Sequence, residues 1–117
     1  MIDKAKEVLK QYWGYDNFRG LQEDIISSIL SGKDTIGLLP TGGGKSICYQ
    51  IPGIIYPGTT IVISPLVALM EDQHNGLVKR GIKSYHFKGS YSVRKLDEAF
   101  RNLRFGQYKF AFLAPER

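Results

Sequence analysis

Thr35-Ile36-Gly37-Leu38-Leu39-Pro40-Thr41-Gly42-Gly43-Gly44-Lys45-Ser46 is the most informative segment of this chain. An apolar run rich in strand-forming residues leads into a proline, three glycines and the start of an apparent helix. This order is typical of a phosphate-binding loop, in which the chain leaves a strand, wraps around an anion and enters a helix. Glycines allow the positive φ angles and the close backbone approach that such a loop needs.

The residues of this loop predict a bound triphosphate with Mg²⁺. Lys45 supplies a positive charge to the terminal phosphates and is the predicted catalytic residue, while the Ser46 hydroxyl is placed to ligate Mg²⁺. The strict spacing G-x-x-x-x-G-K-[ST] requires glycine at position 39, where this chain has leucine. That departure weakens the match to the pattern but not the mechanism, since residues 41 to 46 build the cradle. The alternative interpretation is a glycine-rich turn followed by a solvated lysine.

Composition describes an ordinary soluble globular chain of one domain or part of one. Its 117 residues are 43% hydrophobic and 23% charged. No apolar run approaches the length of a membrane span and the first residues do not resemble a signal peptide, which predicts a cytoplasmic protein without membrane contact. The net charge of +5 favours a polyanion as partner. Cys48 is the only cysteine, which predicts neither an internal disulfide nor a clustered thiolate zinc site. Because it lies just inside the helix after the loop, it is expected to be a buried structural thiol.

Hydrophobic periodicity predicts alternating helices and strands. The helices are expected at 2–13, 21–30, 46–56, 64–79 and 92–105, and the strands at 35–39, 59–63, 83–87 and 109–113. Such alternation indicates an α/β fold with a parallel sheet covered by helices. Ligands gather at the carboxyl ends of the strands in such sheets, and polar turns follow strand ends at 40–46, 64–65 and 114–117.

Several side chains carry predictions of their own. The β-branched run at 59–63 predicts a strand buried on both faces. Ser64-Pro65 is expected to be the N-cap and first residue of the fourth helix. His74 and His86 lack partners at metal-ligand spacing and are expected to be surface or half-buried histidines. Among the residues predicted to face the core are Leu66, Leu69 and Met70 in the fourth helix and Val93, Leu96, Phe100 and Leu103 in the fifth.

Four blocks of sequence match one family in the right order. They are Gly14-Tyr15 with Phe18-Arg19 and Gln22, then Leu39 to Pro52, Ser64 to Gln73, and Ala114-Pro115-Glu116-Arg117. On these blocks the chain resembles the N-terminal part of a RecQ-type DNA helicase of superfamily 2. The resemblance implies that residues 1–117 belong to the first RecA-like (P-loop NTPase) lobe of an ATP-dependent DNA helicase. It also implies single-stranded DNA and duplex junctions as partners, and a role in DNA repair and recombination.

The first block resembles the motif that reads adenine in such helicases. Tyr15 can stack on the base, Gln22 can bond its N6/N7 edge, and Arg19 can bond that edge or a phosphate. The alternative is a hydrophobic plug of Tyr15 and Phe18 between two helices, with Arg19 and Gln22 solvated. The nucleotide-binding residues implied by the resemblance are Tyr15, Phe18, Arg19, Gln22, Pro40, Thr41, Gly42, Gly43, Gly44, Lys45 and Ser46.

The third and fourth blocks resemble motifs Ia and Ib, which contact the DNA backbone. The turn at 64–65 opens a helix whose first N–H groups suit a phosphate. The alternative for Ser64 is that it only caps this helix. The DNA-binding residues implied are Ser64, Pro65, Leu66, Ala114, Pro115, Glu116 and Arg117.

These 117 residues contain no acidic Asp-Glu motif after a hydrophobic strand and no second lobe carrying an arginine finger. We therefore expect a truncated first lobe that binds ATP weakly, does not turn it over, and can self-associate through an exposed sheet edge. A bacterial parent is expected to associate with the nucleoid. The alternatives are a DEAD-box-like RNA helicase, an unrelated P-loop nucleotide kinase, or a module that uses the loop to bind nucleic-acid phosphate.

Overall fold

Five helices and three strands make up the part of the chain that the computed structural model describes, residues 2–39, 44–87, 93–105 and 107–115. The helices are α1 Ile2–Trp13, α2 Gln22–Leu30, α3 Lys45–Ile55, α4 Val67–Lys79 and α5 Val93–Phe105. The strands are β1 Thr60–Ile63, β2 Ser84–His86 and β3 Phe110–Leu113. The chain divides into two compact units, a helical unit, Met1–Pro57, and a sheet unit, Gly58–Arg117.

The helical unit packs α1, α2 and α3 around one apolar core. Apolar residues recur along α1 at helical spacing, so they form a single buried stripe. The helix ends at Gly14, whose φ of 77° is left-handed and whose N–H bonds the carbonyls of Leu9 and Lys10. Tyr56 ties the end of α3 to α2, because its hydroxyl donates to the Ile29 carbonyl at 2.7 Å. The core cluster is Ala5, Val8, Leu9, Ile26, Leu30 and Ile51.

Pro52 lies inside α3 without dividing it. The sequence left open whether this proline kinks the helix or begins a second segment, and the structure has one helix from Lys45 to Ile55. The carbonyl of Pro52 accepts a hydrogen bond from the Tyr56 N–H at 2.9 Å, so the last turn is closed normally. Pro52 and Gly53 are both buried.

The sheet unit is built on a parallel sheet with strand order β1-β3-β2. Phe110 and Phe112 on β3 are fully buried, and the His74 ring of α4 meets Phe112 edge-on at 6.3 Å, so α4 covers their face. Ala111 points to the other face and clusters with Phe87 and with Ala99 of α5. The predicted α/β fold with helices on a parallel sheet is therefore confirmed, and it is consistent with a partial RecA-like lobe.

The predicted strand at 35–39 is wrong. These residues form neither strand nor helix, and Ile36 is 91% exposed. A strand needs a neighbour to accept its backbone hydrogen bonds. The three-stranded sheet of the described residues does not include this segment. The segment 35–39 is therefore apolar in sequence but does not pair as a strand in this sheet.

The strand predicted at 59–63 is present, but it is not buried on both faces as expected. β1 is an edge strand in the sheet of the described residues, and Ile61 (63% exposed) and Ile63 point to a face that stays open. Thr60 and Val62, on the opposite face, are half-buried. The β-branched run therefore predicted a strand correctly but not its position in the sheet.

The start of α4 lies two residues later than predicted. Ser64-Pro65 precedes the helix and Leu66 occupies the N-cap position. The Ser64 hydroxyl instead accepts a hydrogen bond from the Leu66 N–H at 3.1 Å, which closes a local turn. Leu66 and Leu69 are exposed rather than core, whereas Met70 is buried as expected.

Two further predictions are wrong, one about a side chain of α5 and one about a histidine. Phe100 was expected to face inward, but it is exposed and its neighbour Ala99 is buried. Leu103 packs against the core as predicted, while the side chains of Val93 and Leu96 lie outside the described residues. His74 is half-buried as expected, but His86 is buried. Among the described helices, none is both long and apolar enough to cross a membrane.

Candidate functional site

The predicted phosphate loop enters α3 through Gly44. This residue is the N-cap of the helix, and its φ of 72° and ψ of 41° are left-handed. No side chain caps the helix there, so the N–H groups of its first turn have no side-chain partner of that kind. Such a helix end attracts anions through its exposed N–H groups and its dipole. Pro40, Thr41, Gly42 and Gly43 of the predicted loop lie outside the described residues.

Lys45 and Ser46 are the first two residues of α3. The Lys45 side chain is exposed, and Ser46 is half-buried. A lysine ammonium and a serine hydroxyl at a helix N-terminus are the groups that hold a triphosphate and its Mg²⁺. The described part of the loop therefore fits the predicted ligand.

Gln22 joins the candidate adenine-reading segment to this loop. Its side chain is only 3% exposed, so the alternative prediction of a solvated Gln22 is wrong. Its Oε1 accepts a hydrogen bond from the Arg19 backbone N–H at 2.8 Å, and its Nε2 donates to the Gly44 carbonyl at 3.2 Å. One buried amide thus fixes the turn before α2 against the N-cap residue of α3.

The space around position 44 favours glycine as well as its φ does. A Cβ built on Gly44 would collide with Nε2 of Gln22. Any side chain there would therefore displace the amide that holds the two segments together. The loop glycines were predicted for their backbone freedom, but no motif or spacing indicated this close approach of the Gln22 side chain.

A cleft of about 160 Å³ opens beside Gln22. This volume is below the roughly 300–1,000 Å³ of sites for drug-sized ligands, so it suits one part of a nucleotide, such as the base. Tyr15, Arg19 and Gln22, which were predicted to read adenine, all line the cleft. Phe18 does not line it and packs against the core of the helical unit. The complete lining is Leu9, Tyr15, Asn17, Arg19, Gln22 and Ile47.

Three lining residues were missed from the sequence. Leu9 is a core residue of α1, and nothing in its pattern marked it as part of a cleft. Asn17 lies between Tyr15 and Arg19, and Ile47 directly follows Ser46, so their positions beside predicted site residues were the available signals.

Two titratable groups of α3 stay protonated behind the loop. Burial raises the pKa of the Cys48 thiol, whose S–H faces the Gly44 carbonyl at 4.0 Å. Burial also raises the pKa of Tyr49 to about 12, partly opposed by a hydrogen bond from the Gln50 amide at 3.3 Å. The expectation that Cys48 is a buried structural thiol is confirmed, and neither group is poised to act as a nucleophile near neutral pH.

The two predicted DNA-contacting turns lie side by side at the carboxyl edge of the sheet. Ser64 follows β1 and Ala114 follows β3, and these two parallel strands are neighbours in register. The Ser64 N–H donates to the Leu113 carbonyl at 3.2 Å, which extends the pairing into the turn. Ala114 is buried, whereas Pro65, Leu66 and Pro115 are exposed. Glu116 and Arg117 lie outside the described residues.

Positive charge is concentrated in the half of the chain that carries these turns. Residues 58–117 contain ten Lys and Arg against five Asp and Glu, whereas residues 1–57 contain six of each. The whole net charge of +5 therefore belongs to the sheet unit, and the helical unit is neutral. An excess of cations on one unit favours a polyanionic partner there.

The histidines belong to the packing of the sheet unit. His74 of α4 shares a hydrogen bond of 2.8 Å with the hydroxyl of Ser84 on β2. Its ring lies 5.8 Å from that of His86, and both rings meet Phe112. Within the described part of the chain, no group of three or more His, Cys, Asp or Glu side chains is placed to hold a metal ion.

Comparison with known proteins gives the same family. Residues 19–117 match the family described as DEAD/DEAH box helicase. The chain is 42% identical over its whole length to the ATP-dependent DNA helicase RecQ of Bacillus subtilis. It is 47% identical, over 98% of its length, to the probable ATP-dependent DNA helicase RecS of the same organism. It is also 40% identical, over 97% of its length, to a putative ATP-dependent RNA helicase, R290, of Acanthamoeba polyphaga mimivirus.

These relatives are much longer proteins. The chain spans 20% of the B. subtilis RecQ, 23% of RecS and 20% of the mimivirus protein. The resemblance to RecQ-type helicases, stated above from four sequence blocks, is confirmed by the first two relatives.

Proposed function

This chain belongs to the DEAD/DEAH box helicase family, and from that membership we propose that it supplies the nucleotide-binding part of the first motor lobe of a RecQ-type, ATP-dependent DNA helicase. The observation that supports this most strongly is the buried Gln22 amide, which joins the base-reading turn to the phosphate loop through Gly44. A solvated glycine-rich turn gives no reason for such a link.

In this proposal ATP binds along the helical unit. The adenine enters the cleft beside Gln22, where Tyr15 stacks on it and Arg19 contacts its edge or a phosphate. The triphosphate lies against residues 40–46 and the first turn of α3, with the Lys45 ammonium beside the terminal phosphates. Phe18 acts indirectly, by anchoring the turn to the core.

The family resemblance implies Mg²⁺ as the metal, and one described residue, Ser46, fits that ion. Ser46 offers a hydroxyl in the first turn of α3, where phosphate oxygens would complete the coordination. The ion would neutralise charge on the β and γ phosphates when nucleotide is bound.

We further propose that the carboxyl edge of the sheet unit contacts single-stranded DNA. Ser64, Pro65 and Leu66 and the block 114–117 would bind its phosphates, supported by the adjacency of the two turns and the net charge of +5 on residues 58–117. The first turn of α4 has no side-chain cap and offers further N–H groups. Duplex junctions are proposed as substrates of the whole protein.

The rest of the motor is proposed to lie outside these 117 residues. The acidic Asp-Glu motif and the arginine finger of a second lobe are not in this sequence, so we expect the chain alone to bind ATP weakly without turnover. We propose that the whole protein works in the cytoplasm, on the nucleoid in a bacterium, in DNA repair and recombination.

An RNA helicase is the second candidate, since one relative is named as a putative RNA helicase. The first-mentioned relatives are named DNA helicases, which favours DNA. The P-loop kinase alternative has no support from the family match.

The test is the ATPase activity of the full-length protein with and without single-stranded DNA. We expect stimulation by DNA, and a loss of activity on the order of 100-fold in Lys45→Ala, because a charge that stabilises the transferring phosphoryl group is removed. Lys33→Ala is the matched control, since Lys33 is also exposed in the helical unit but lies outside the loop. An unchanged rate in Lys45→Ala, or no response to DNA, would contradict the proposal. Unwinding of RNA but not DNA duplexes would favour the second candidate.

A further inference from the structure

Asn17 lines the same cleft as the predicted adenine readers, but the sequence motif assigns it no role. It belongs to the loop between α1 and α2, and its side chain is exposed at the cleft. No hydrogen bond joins its amide to another described residue. An amide has two N–H donors and an acceptor oxygen, so Asn17 offers a donor to whatever fills the cleft.

The walls of the cleft divide into apolar and polar parts. Leu9, which is buried, and Ile47 provide apolar surface against which a flat ring can pack. The polar groups are Gln22 in the interior and Arg19 and Asn17 at exposed positions. A small pocket of apolar surface with a few convergent polar groups is what a heterocyclic base requires.

We propose that Asn17 is a third residue that contacts the base, donating its Nδ2–H to a ring nitrogen, N1 or N3, of adenine. This inference rests on the proposed function. The Gln22 amide already bonds the Arg19 N–H and the Gly44 carbonyl, but it keeps one N–H and one oxygen lone pair for the N6/N7 edge, which Arg19 can also contact. That leaves N1 and N3, both acceptors, for a donor elsewhere on the cleft. Because the amide can also turn its oxygen inward, Asn17 adds affinity for purines more than it discriminates between them.

The test measures equilibrium binding of ATP and three deaza analogues to the full-length protein. Replacing N1, N3 or N7 by carbon removes one acceptor and leaves the shape of the base. A neutral hydrogen bond corresponds to a factor of about 2 to 12 in affinity. For the wild type we expect a loss of that size with 7-deaza-ATP, and a second loss with either 1-deaza-ATP or 3-deaza-ATP.

The variants assign the second loss to Asn17. Asn17→Ala and Asn17→Leu, the latter similar in volume but without a donor, should bind ATP and the sensitive 1- or 3-deaza analogue equally. Their loss with 7-deaza-ATP should remain, because it depends on Gln22 and Arg19. Asp16→Ala is the control in the same loop, since Asp16 pairs with Lys10 at 2.6 Å and does not line the cleft. It should retain every loss of the wild type.

The outcomes separate this inference from the function on which it rests. The role of Asn17 alone would be overturned if both Asn17 variants lost as much affinity with 1-deaza-ATP and 3-deaza-ATP as the wild type does. The same holds if the Asn17 variants lose only their sensitivity to 2′-deoxy-ATP, which would place the contact on the ribose. Failure of the wild type to bind ATP, or its indifference to 7-deaza-ATP, would overturn the proposed base site itself.

Discussion

At Gly44 the backbone turns left-handed and lies directly against the side chain of Gln22. These are two separate requirements for glycine. A residue with a Cβ is disfavoured at this φ by roughly 1–2 kcal/mol, and here the Cβ would also displace a buried amide. One position thus serves both the shape of the loop and its attachment to α2.

We predict that Gly44→Ala lowers both the free energy of unfolding and the affinity for ATP. Strain alone should destabilise the fold by roughly 1–2 kcal/mol. Displacing Gln22 should then disturb the cleft and weaken nucleotide binding. Thermal or denaturant unfolding and a nucleotide-binding titration measure the two effects.

Gly32→Ala is the matched control for this prediction. Gly32 also has a left-handed φ, 86°, in the helical unit, but a Cβ there meets no atom within 4 Å. It should lose stability by a similar amount while binding ATP normally. If Gly44→Ala also bound ATP normally, the importance of the close approach to Gln22 would be disproved.

At the scale of elements, local patterns predicted the helices well and the sheet only in part. Helix α1 has the predicted bounds because its apolar stripe and Gly14 are both local signals. The segment 35–39 failed because strand formation depends on a partner that periodicity cannot reveal. Ser64-Pro65 failed as a cap because the serine hydroxyl closes a turn before the helix instead.

The candidate site was also predictable only in part, because its local motif is visible in the sequence and the packing of its helices is not. Tyr15, Arg19 and Gln22 were found because a motif places them in sequence, and they do line one cleft. Leu9 and Ile47 were missed because packing brings α1 and α3 together there. The bond from Gln22 to Gly44 spans 22 residues of sequence and depends on the packing of α2 against α3.

We predict opposite results for two adjacent residues of α4. Met70 is 1% exposed and Leu69 is 47% exposed, although both were expected in the core. Met70→Ala should lower the free energy of unfolding by roughly 2–5 kcal/mol because it leaves a cavity. Leu69→Ala should change it by no more than roughly 0.5 kcal/mol, as is usual for surface positions. Chemical denaturation of the two variants measures the difference, and equal losses would show that α4 is rotated from the position described.

At the scale of the whole molecule, charge and exposed apolar surface are unevenly distributed. The sheet unit carries all the net charge and also the open face of β1 with Ile61 and Ile63. An edge strand with an exposed apolar face can pair with another strand. We propose that the 117-residue chain self-associates through this edge.

The corresponding prediction concerns the oligomeric state of the chain by itself. Light scattering at increasing concentration should show association of the wild-type chain, and Ile61→Lys with Ile63→Lys should reduce it, because lysines on an edge oppose strand pairing. Val78→Lys adds the same kind of charge at an exposed position of α4 in the same unit and should leave association unchanged. A wild-type chain that stays monomeric at every concentration would refute the proposal.

The bond between the Gln22 amide and the Gly44 carbonyl has a consequence for signalling within the nucleotide site. If nucleotide binds as proposed, this bond would couple its two ends, since a shift of the turn at Arg19 would displace Gly44 at the N-cap of α3. A ligand with phosphates but no base would make contacts only at the start of α3. Binding of the base would then affect the position of Gly44 at the phosphate end of the site, and would not only add to the affinity for ATP.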